Sequence, residues 1–437
     1  MKTPCLVPLS RLLLCACLSA AAAGGQTPAA QPAPAPAETL RFVAIVSRHG
    51  VRSPTGKLDQ LNQYSRQLWP AWSVPPGYLT EHGARLMTLL GAYDRAVLVT
   101  QGLLSPSSCG DASHIAIVAD SDQRTRETGK ALAAGLAPGC AIPVRALPEG
   151  TEDPLFHSLA AGVGHPDKAL AVAALSGRIG ANPQAIALAF RPQLEQLSKV
   201  LDACAAASCS GPAPQSLFDL PATLGPGKGD HLVELRTPLT LAATMSENLL
   251  LEYAEGMPEV GWGRVDLNTL RGLMDLHTAS EEITQRTPYV ARAQASNLLF
   301  HLLASLDQAA AGRAVPGALT DPGDKLLILS GHDTNLANIA GVLGLNWIAD
   351  GRRDDTPPGG ALIFELWKKP GADAYAVKVY FQAQTLDQMR SSTPLTLASP
   401  PERVPVFVSA CGQAEMSCTW DGFRSAVRAA IDPSFVR

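Results

Sequence analysis

The chain has 437 residues, a formal net charge of −4 at pH 7, 46% hydrophobic residues and 17% charged residues. This composition is typical of a core-forming soluble protein with room for one large domain or two. The mildly negative charge excludes a general electrostatic attraction to nucleic acid or to an anionic membrane, so an anionic substrate must be attracted locally.

The N-terminal 23 residues have the pattern of a secretory signal peptide. Lys2 and Arg11 precede a short apolar stretch, and small residues follow up to Ala23. Residues 1–23 therefore predict a protein that is exported to the periplasm or secreted. The sequence LCAC, which ends at Cys17, is an imperfect lipoprotein cleavage box, so a lipid anchor on Cys17 stays open as an alternative.

The rest of the sequence divides into a tether, an α/β region and a helical insertion. Residues 24–40 are rich in Pro and Ala, which predicts a flexible or polyproline tether. Residues 151–318 are rich in Ala, Leu and Glu at helical spacing and are predicted to form a mostly helical cap subdomain. The α/β domain would then consist of residues 41–150 and 319–437.

Three apolar runs of strand length carry the fold prediction: RFVAIVS (41–47), HIAIVAD (114–120) and DKLLILSG (324–331). Strands that are buried on both faces of a parallel sheet have this nearly continuous apolar character. Helical patterns lie between the runs, which predicts an α/β fold with a mainly parallel sheet flanked by helices. Three later runs are candidate strands as well: GALIFELWKK, AYAVKVYFQ and VPVFVSA.

Each of the three runs ends in polar side chains. They are Arg48, His49 and Arg52 after the first run, Arg124 and Arg126 after the second, and His332 and Asp333 after the third. Ligands of an open parallel sheet bind beyond the carboxyl ends of its strands, so these side chains would meet in one pocket if the strands are neighbours. The sequence GPGKGD at 225–230 lacks the spacing of a phosphate-binding loop and is predicted to be a surface turn.

These residue types point to phosphate chemistry. A cluster of arginines without matching carboxylates is costly unless an anion fills it, and guanidinium groups suit phosphate oxygens. His49 would then either donate to the phosphate or accept the phosphoryl group as a nucleophile. Asp333 would supply the proton of the leaving oxygen, an effect that is typically worth roughly 10²–10⁴ in rate.

The same chemistry predicts activity in mild acid. A nucleophilic imidazole needs a free lone pair, and an isolated histidine with a pKa of about 6.5 loses it to a proton in mild acid. The neighbouring guanidinium groups should lower the pKa of His49 and keep the ring neutral. Asp333 needs the opposite, a proton to donate, and mild acid favours the protonated carboxyl.

Six cysteines follow the predicted signal peptide, an even number that suggests disulfides in an exported chain. Fifteen connectivities are open, and free buried thiols are the alternative. The favoured pairing is local: Cys109–Cys140, Cys204–Cys209 and Cys411–Cys418. The CxxC spacing of structural zinc sites does not occur, so a structural zinc ion is not expected.

The sequence RHGVRSP at 48–54, together with the distant pair His332-Asp333, resembles the signature of the histidine acid phosphatases. Further segments resemble the bacterial periplasmic phytase and acid phosphatase branch of that family. They are GHDTNLANIAGVLGLNW, DDTPPGGALIFELW, GMPEVGWGR and QRTPYVARAQA. The resemblance covers about residues 41–430, and the local cysteine pairs agree with it.

The resemblance implies a role for each matching position. His49 would be the phosphorylated nucleophile and Asp333 the general acid. The phosphate would be held by Arg48, Arg52, Arg124 and His332, with Thr55 lining the site. The outer substrate pocket would include Lys57, Asp120, Glu259, Arg286 and Thr334. Neither a metal nor an organic cofactor is implied.

Two of these outer-pocket positions have a structural alternative, and one departs from the family pattern. Asp120 and Arg286 would serve equally well as members of buried ion pairs. The branch commonly has a lysine directly after Pro-Thr, where this chain has Gly56, so Lys57 is shifted by one residue.

The activity implied is that of an acid phosphomonoesterase, above all a phytase that acts on myo-inositol hexakisphosphate through a phosphohistidine. Thr334 beside the catalytic acid favours this activity. Glucose-1-phosphatase and a broad-specificity acid phosphatase are the alternatives within the family. A non-catalytic polyanion-binding protein is the alternative from another class, and Asp333 argues against it because a carboxylate repels phosphate unless it serves as an acid.

The expected partner is therefore a small phosphorylated substrate, such as an inositol phosphate or a sugar phosphate. No nucleic acid is expected to bind, and no membrane unless Cys17 is lipidated. The protein is expected to be a monomer.

Overall fold

The computed structural model describes residues 38–204, 213–371 and 374–437. The predicted signal peptide, the candidate anchor Cys17 and most of the predicted tether lie outside the described residues. The first strand begins at Thr39, so the last two residues assigned to the tether belong to the sheet instead.

The described residues form one large sheet and two small hairpins. The strands are β1 Thr39–Arg48, β2 Ile115–Ala119, β3 Val144–Arg145, β4 Thr223–Pro226, β5 Val233–Arg236, β6 Leu326–Gly331, β7 Ile348–Ala349, β8 Arg352–Arg353, β9 Ala361–Lys368, β10 Tyr375–Ala383, β11 Glu402–Pro405 and β12 Ser417–Thr419. The main sheet has the order β11-β10-β9-β1-β6-β2-β3, and β12 pairs with β10. The hairpins are β4–β5 and β7–β8.

The α/β prediction is confirmed, with a parallel core and an antiparallel flank. Strands β1, β6, β2 and β3 pair in parallel, whereas β9, β10, β11 and β12 pair antiparallel. The connection between β9 and β10 is too short for a crossover, so these two strands can only form a hairpin. The third late run, VPVFVSA, contributes only its first residues to β11.

The described residues form twelve α-helices, and five of them cover the two faces of this sheet. They are α1 Leu58–Leu61, α2 Glu81–Thr100, α3 Gln123–Leu136, α4 Lys168–Arg178, α5 Ile186–Ala189, α6 Arg191–Asp202, α7 Pro238–Ala254, α8 Leu267–Thr284, α9 Pro288–Ala311, α10 Asp333–Leu343, α11 Leu386–Ser391 and α12 Trp420–Ala430. Helices α2 and α3 cover one face of the sheet, and α9, α10 and α12 cover the other. Short 3₁₀ helices occur at Asn62–Tyr64, Ala112–His114, Pro183–Ala185, Leu217–Asp219 and Pro433–Phe435.

Successive residues of β1 point to opposite faces of the sheet, as strand geometry requires. Phe42 and Ala44 pack in the core that α9, α10 and α12 cover. Val43 and Ile45 pack in the core beneath α2 and α3. The central strands are therefore buried on both faces, which explains their nearly continuous apolar sequence.

The helices within the predicted cap range are of two kinds. Helices α4 to α8 share a separate core with Leu194, Leu249 and Leu273. Helix α9 lies in the same range but packs Leu298 and Leu302 against the main sheet. The division into an α/β domain and a cap, with a boundary at residue 318, stays a prediction.

Two of the predicted disulfides are confirmed. Cys109 is bonded to Cys140, and Cys411 is bonded to Cys418. Cys209 lies outside the described residues, so its pairing with Cys204 stays a prediction. Among the described helices, none combines the length and the apolar character that a membrane span requires.

Candidate active site

The carboxyl ends of three strands lie side by side at one edge of the sheet. Strand β6 lies between β1 and β2, and Arg48 at the end of β1 is opposite Gly331 at the end of β6. The backbone N–H of His49 donates to Gly331 O at 2.9 Å, and that of Asp120 donates to Ser330 O at 3.0 Å. The three polar segments therefore meet, because parallel strands carry the residues that follow them to the same edge.

A cleft of about 490 Å³ opens at this edge. The residues of the predicted site that line it are His49, Arg52, Thr55, Arg124, His332, Asp333 and Thr334. Most of the predicted phosphate site is thus assembled around one cavity from segments that are almost 300 positions apart in the sequence.

Arg48 is completely buried behind the cleft, and carboxylates surround it. Its guanidinium donates to the side chain of Glu247 on α7 and to Thr356 O at 2.5 Å, and it lies 3.1 Å from Asp333 Oδ2. Burial opposes the charge, yet Glu247 and Asp333 together raise the pKa of Arg48 above its ordinary value. Arg48 therefore fixes the position of the two carboxylates around it.

The expectation of arginines without matching carboxylates is wrong. Besides Arg48, the structure pairs Arg124 Nη2 with Asp122 Oδ2 at 2.5 Å, and Arg52 Nη2 lies 3.5 Å from Glu247 Oε1. Glu247 had no motif to reveal it. The available signal was a carboxylate within the Leu- and Ala-rich sequence of α7, since a buried charge is rarely left without a partner.

Arg52 remains a weakly compensated cation. Burial lowers its pKa to about 10 despite the carboxylate of Glu247, and the charges of Arg48 and Arg124 add to the lowering. A buried guanidinium with a lowered pKa is electrostatically destabilised, and an anion in the cleft would relieve that cost.

His49 is held in one tautomer at a tightly packed turn. Its Nδ1 lies 2.8 Å from Gly50 O, which can only accept, so Nδ1 carries the hydrogen. The neutral ring then has its lone pair on Nε2, which has no hydrogen-bond partner among the described residues. A Cβ at position 50 would lie 2.8 Å from Met87 Cγ and 3.1 Å from Gly83 O, so helix α2 can approach only a glycine here.

The electrostatics of the cleft keep the His49 ring neutral. Burial lowers its pKa well below the ordinary value, and Arg124, Arg48 and Arg52 lower it further. This is the direction that the sequence argument expects from neighbouring guanidinium groups. His49 therefore keeps its lone pair in mild acid, where an exposed histidine is protonated.

His332 is oriented by a chain of side chains behind it. Its Nε2 lies 2.8 Å from Asp120 Oδ2, which must accept, and its Nδ1 lies 3.4 Å from Arg124 Nη2. Asp120 also accepts from His157 Nε2 at 3.2 Å, and His157 Nδ1 lies 2.6 Å from Asp230 Oδ2. Asp120 thus belongs to a buried network, which is the alternative that the sequence left open.

His157 carries a charge that the sequence did not reveal. Burial lowers its pKa, but the hydrogen bonds to Asp120 and Asp230 outweigh that effect and raise the pKa to about 10. Burial alone would raise the pKa of Asp120, but hydrogen bonds from His157 and His332 hold it well below its usual value. His157 has no motif around it, so no local signal could have identified it.

Asp333 is the first residue of α10, where the partial positive charge of a helix N-terminus favours an anion. Burial would raise the pKa of Asp333, but Arg48 lowers it, and the net result is a lowered pKa. The sequence predicts a protonated Asp333 in mild acid, whereas the surroundings of Asp333 in the structure favour its anion. The reason is the ion pair with Arg48, which the sequence could not reveal.

A search for relatives agrees with this geometry. The model of the histidine phosphatase superfamily (branch 2) matches residues 39–382. The chain belongs to this superfamily. It is 39% identical over 404 residues to phytase AppA from Escherichia coli, which covers 90% of this chain and 93% of that protein. It is 27% identical to a glucose-1-phosphatase from Providencia rettgeri, over 90% of this chain and 92% of that protein.

A solved structure of Hafnia alvei phytase with myo-inositol hexakis sulphate is similar to this histidine phosphatase throughout. The identity is 35%, the TM-score is 0.82, and the match covers 92% of this chain and 100% of the other. A phytase from Citrobacter braakii has 34% identity and a TM-score of 0.82, over 91% and 99% of the two chains. The family predicted from the sequence is confirmed.

The outer-pocket residues of this histidine phosphatase are less well assembled. Lys57 and Glu259 are exposed and do not line the cleft. Arg286 lies 3.3 Å from Asp354 and donates to Asn346 Oδ1 at 3.0 Å, so it anchors a loop, as its structural alternative expects. Their roles in binding substrate stay predictions that the geometry does not favour.

The segment GPGKGD contains the predicted surface turn, with Lys228 and Gly229 exposed, and this turn lies at the cleft. It joins β4 to β5, and the residues Lys228, Gly229, Asp230 and His231 line the cleft. The first two residues of the segment end strand β4, which belongs to a two-stranded antiparallel hairpin and not to a phosphate-binding loop. The sequence does not reveal β4 because this strand has only four residues. Glycines and prolines within and beside it leave no clear periodic pattern.

Two groups of side chains have donor atoms close enough to share a metal ion. They are Asp120, Asp122, His157 and His332 in one group, and Glu247, His277 and Asp333 in the other. Arg124 lies 2.5 Å from Asp122, and Arg48 lies 3.1 Å from Asp333. These guanidinium groups repel a cation and occupy the oxygens it would need, so the donor sets suit ion pairing better than metal binding.

Proposed function

We propose that this histidine phosphatase is an acid phosphomonoesterase, and specifically a phytase that releases phosphate stepwise from myo-inositol hexakisphosphate. One observation carries the proposal. A neutral His49, with its Nε2 lone pair available, lies at a cleft that the guanidinium groups of Arg52 and Arg124 line, and Asp333 lines the same cleft. This set supplies a nucleophile, an anion site and a proton carrier.

The arginines bind the transferred phosphoryl group. Guanidinium groups donate in pairs to phosphate oxygens, and in a partly buried cleft these charge-assisted bonds are strong. Arg52 has the most to gain because burial lowers its pKa to about 10, and a bound phosphate compensates its charge. Arg48 contributes from behind, where it also holds Asp333.

In the first step, His49 Nε2 forms a bond to phosphorus as the bond from phosphorus to the ester oxygen breaks. Asp333 donates a proton to that oxygen, which leaves as an alcohol. In the second step, water attacks phosphorus, Asp333 accepts a proton from the water, and the bond to Nε2 breaks. Inorganic phosphate takes the proton from Asp333 and leaves as the monoanion, so His49 is again neutral and Asp333 is again an anion.

The proton for the first step comes with the substrate. The second pKa of a phosphate monoester is about 6, so the monoanion that predominates in mild acid carries one proton. The negative charge of the bound phosphate raises the pKa of the nearby Asp333, which then takes up that proton. We therefore expect kcat/KM to fall as the pH rises from 5 to 8, with the steepest change near pH 6.

The substrate class rests on the relatives. The phytase AppA is 39% identical to this chain and the glucose-1-phosphatases are 27% and 29% identical, which favours a phytase. The Hafnia alvei phytase was solved with myo-inositol hexakis sulphate, a polyanion of the same shape as the proposed substrate. Residues 1–23 and the two disulfides support export to an oxidising compartment, and a monomer is expected.

The test is phosphate release near pH 5 in the presence of a chelator, from myo-inositol hexakisphosphate and from glucose-1-phosphate. We expect rapid release from the hexakisphosphate, and a phosphoenzyme with phosphate on histidine. His49→Ala should lose more than a thousandfold of the rate and form no phosphoenzyme. His114→Ala is the matched control, since His114 is exposed at the other end of the sheet, before β2 begins.

Three outcomes would contradict the proposal. Equal inactivity of the native protein and His49→Ala would favour a polyanion-binding protein. Release only from glucose-1-phosphate would replace the phytase by a glucose-1-phosphatase. A requirement for an added divalent metal would remove the phosphohistidine mechanism.

A further inference from the structure

The cleft has a second wall that the strand ends do not supply. This wall is the β4–β5 turn, defined here as residues 227–232. The turn is closed by Gly227 N–H, which donates to Leu232 O at 3.0 Å, and by His231 N–H, which donates to Lys228 O at 3.0 Å. It belongs to a hairpin separate from the main sheet and lines the same cleft as His49.

Contacts from other parts of the chain hold the β4–β5 turn in place. Asp230 Oδ1 accepts from the backbone N–H of Ala160 at 2.9 Å, and Asp230 Oδ2 lies 2.6 Å from His157 Nδ1. Lys168 Nζ donates to Gly227 O at 2.8 Å, and the side-chain amide of Gln294 donates to Asp230 O. The turn is therefore a fixed support and not a loose loop.

Close packing also fixes the backbone at the base of the turn. A Cβ at position 227 would lie 2.0 Å from His231 O, so only glycine fits there. Gly229 has a φ of 57°, in the left-handed region that glycine adopts without strain. The turn thus presents Lys228 and His231 to the cleft in a defined orientation of the backbone.

Lys228 differs from the other cations of the cleft in having no acidic partner. Arg48, Arg52 and Arg124 each lie within 3.5 Å of a carboxylate, and His157 bridges two of them. In the part of the chain that the structure describes, no carboxylate pairs with the exposed ammonium of Lys228. Its charge therefore faces the cleft and the solvent, where an anionic ligand can meet it.

We propose that Lys228, with His231 beside it, binds a second phosphate group of a polyphosphorylated substrate while His49 attacks the first. The inference rests on the proposed phosphatase function and extends it to the substrate class. A single phosphoryl group needs only the sheet edge, whereas the cleft of about 490 Å³ has the size of a site for a larger ligand. A lysine suits this role because its ammonium is a point charge on a flexible stem.

One carboxylate of the cleft works against this role. Glu152 is exposed and lines the cleft, so it repels a substrate that carries several phosphates. The proposal therefore makes two predictions of opposite sign. Removing the charge of Lys228 weakens binding of a polyphosphate, and Glu152→Gln strengthens it.

The test compares KM for myo-inositol hexakisphosphate with KM for p-nitrophenyl phosphate, which has one phosphate. For Lys228→Ala we expect KM for the hexakisphosphate to rise about two- to fivefold at low salt, the size of one exposed ion pair, with kcat nearly unchanged. KM for p-nitrophenyl phosphate should stay the same. The difference should shrink at high ionic strength because salt screens exposed charges.

Matched variants separate charge from structure. Lys228→Arg should keep most of the affinity. Lys369→Ala should change nothing, since Lys369 follows β9 at the opposite end of the sheet, where Lys368 pairs with Thr39. An equal change in KM for both substrates would mean a structural effect, and no change for either would mean that Lys228 does not bind substrate. Both results would overturn the proposal.

A second measurement separates this inference from the proposed function. If the native protein hydrolyses p-nitrophenyl phosphate but not the hexakisphosphate, the phytase proposal fails on its own. The inhibition constant of the hexakisphosphate against p-nitrophenyl phosphate then still tests the second phosphate site. A rise in that constant in Lys228→Ala supports the site, and an unchanged constant refutes it.

Discussion

The two walls of the cleft are built on different principles. The sheet-edge wall consists of residues that directly follow parallel strands, and backbone pairs such as His49 N–H to Gly331 O fix its geometry. The β4–β5 turn forms the other wall, and side chains such as Asp230 and Lys168 hold it. Residues of the sheet-edge wall carry out the proposed reaction. In the β4–β5 turn, the charge of Lys228 would bind another phosphate group of the substrate.

This difference shows that catalysis and substrate specificity can depend on separate parts of the fold. Groups that react must hold their positions closely, and the ends of a buried sheet provide that rigidity. Groups that only attract a distant phosphate tolerate more freedom, and a hairpin turn is sufficient for them. Substitutions in the first wall should lower kcat, and those in the second should raise KM.

The largest effect after loss of the nucleophile should come from Asp333→Asn, which keeps the shape and removes the proton. We expect the rate on an alkyl phosphate such as the hexakisphosphate to fall about a hundredfold or more, because the leaving alkoxide is then not protonated. The loss on p-nitrophenyl phosphate should be much smaller, since nitrophenolate leaves without a proton. Single-turnover kinetics on the two esters measure this difference.

An equal loss on both esters would contradict the proton-donor role of Asp333. Asp333 would then affect the rate through its ion pair with Arg48 and not as a proton donor. The unfolding midpoint of Asp333→Asn is the control, since a large drop would indicate that the ion pair mainly stabilises the fold.

His157→Ala should impair both walls at once, because His157 forms hydrogen bonds to a residue of each wall. It contacts Asp120 behind the sheet edge and Asp230 in the turn. Its loss leaves the buried Asp120 and the partly buried Asp230 without their shared cation, so we expect kcat to fall about tenfold and KM for the hexakisphosphate to rise as well. Lys228→Ala should raise KM alone.

Steady-state kinetics with both substrates check this prediction, and the pH profile adds a second readout. Without His157 the pKa of Asp120 should rise toward its usual range, so the acid limb of the profile should shift upward. A change in kcat with no change in KM for the hexakisphosphate would mean that the turn does not depend on His157.

Sequence analysis identified the sheet-edge wall but not the turn wall, for a physical reason. Arg48 to Arg52 and the pair His332-Asp333 follow continuous apolar runs, so their position at strand ends is a local property. The pairs His157–Asp230 and Arg48–Glu247 join residues 73 and 199 positions apart, with no fixed spacing between them. Such contacts form only in the folded chain and have no local sequence pattern. The lowered pKa of Asp333 likewise depends on Arg48, a residue distant from it in the sequence.

A substitution at Glu252, outside both walls, should change the stability of the protein without changing its catalysis. Glu252 on α7 is buried, its Oε2 accepts from Gly261 N–H at 2.8 Å, and burial raises its pKa to about 7. A carboxyl whose pKa is raised by folding stabilises the folded state. The contribution is complete below the unfolded pKa of about 4.5, and it is lost as the pH rises through the folded pKa of about 7. The loss amounts to ~3 kcal/mol at pH 7.

Glu252→Gln removes this titration and keeps an acceptor for Gly261. We expect the variant to be more stable than the native protein at pH 7.5 and similar to it at pH 4, with unchanged kinetics at pH 5. Urea unfolding at the two pH values measures the effect. Parallel pH dependences of the two proteins would show that Glu252 does not titrate as proposed.

The tip between β4 and β5 has a further consequence for how this scaffold can diverge. It is closed by its own short pair of strands, so the exposed residue Lys228 can be exchanged or recharged while Gly227 and Asp230 keep their contacts and the eight-stranded sheet stays paired. Transplanting tips of different charge onto an unaltered catalytic edge would be a direct route to enzymes that sort anions by the number of their ionised groups.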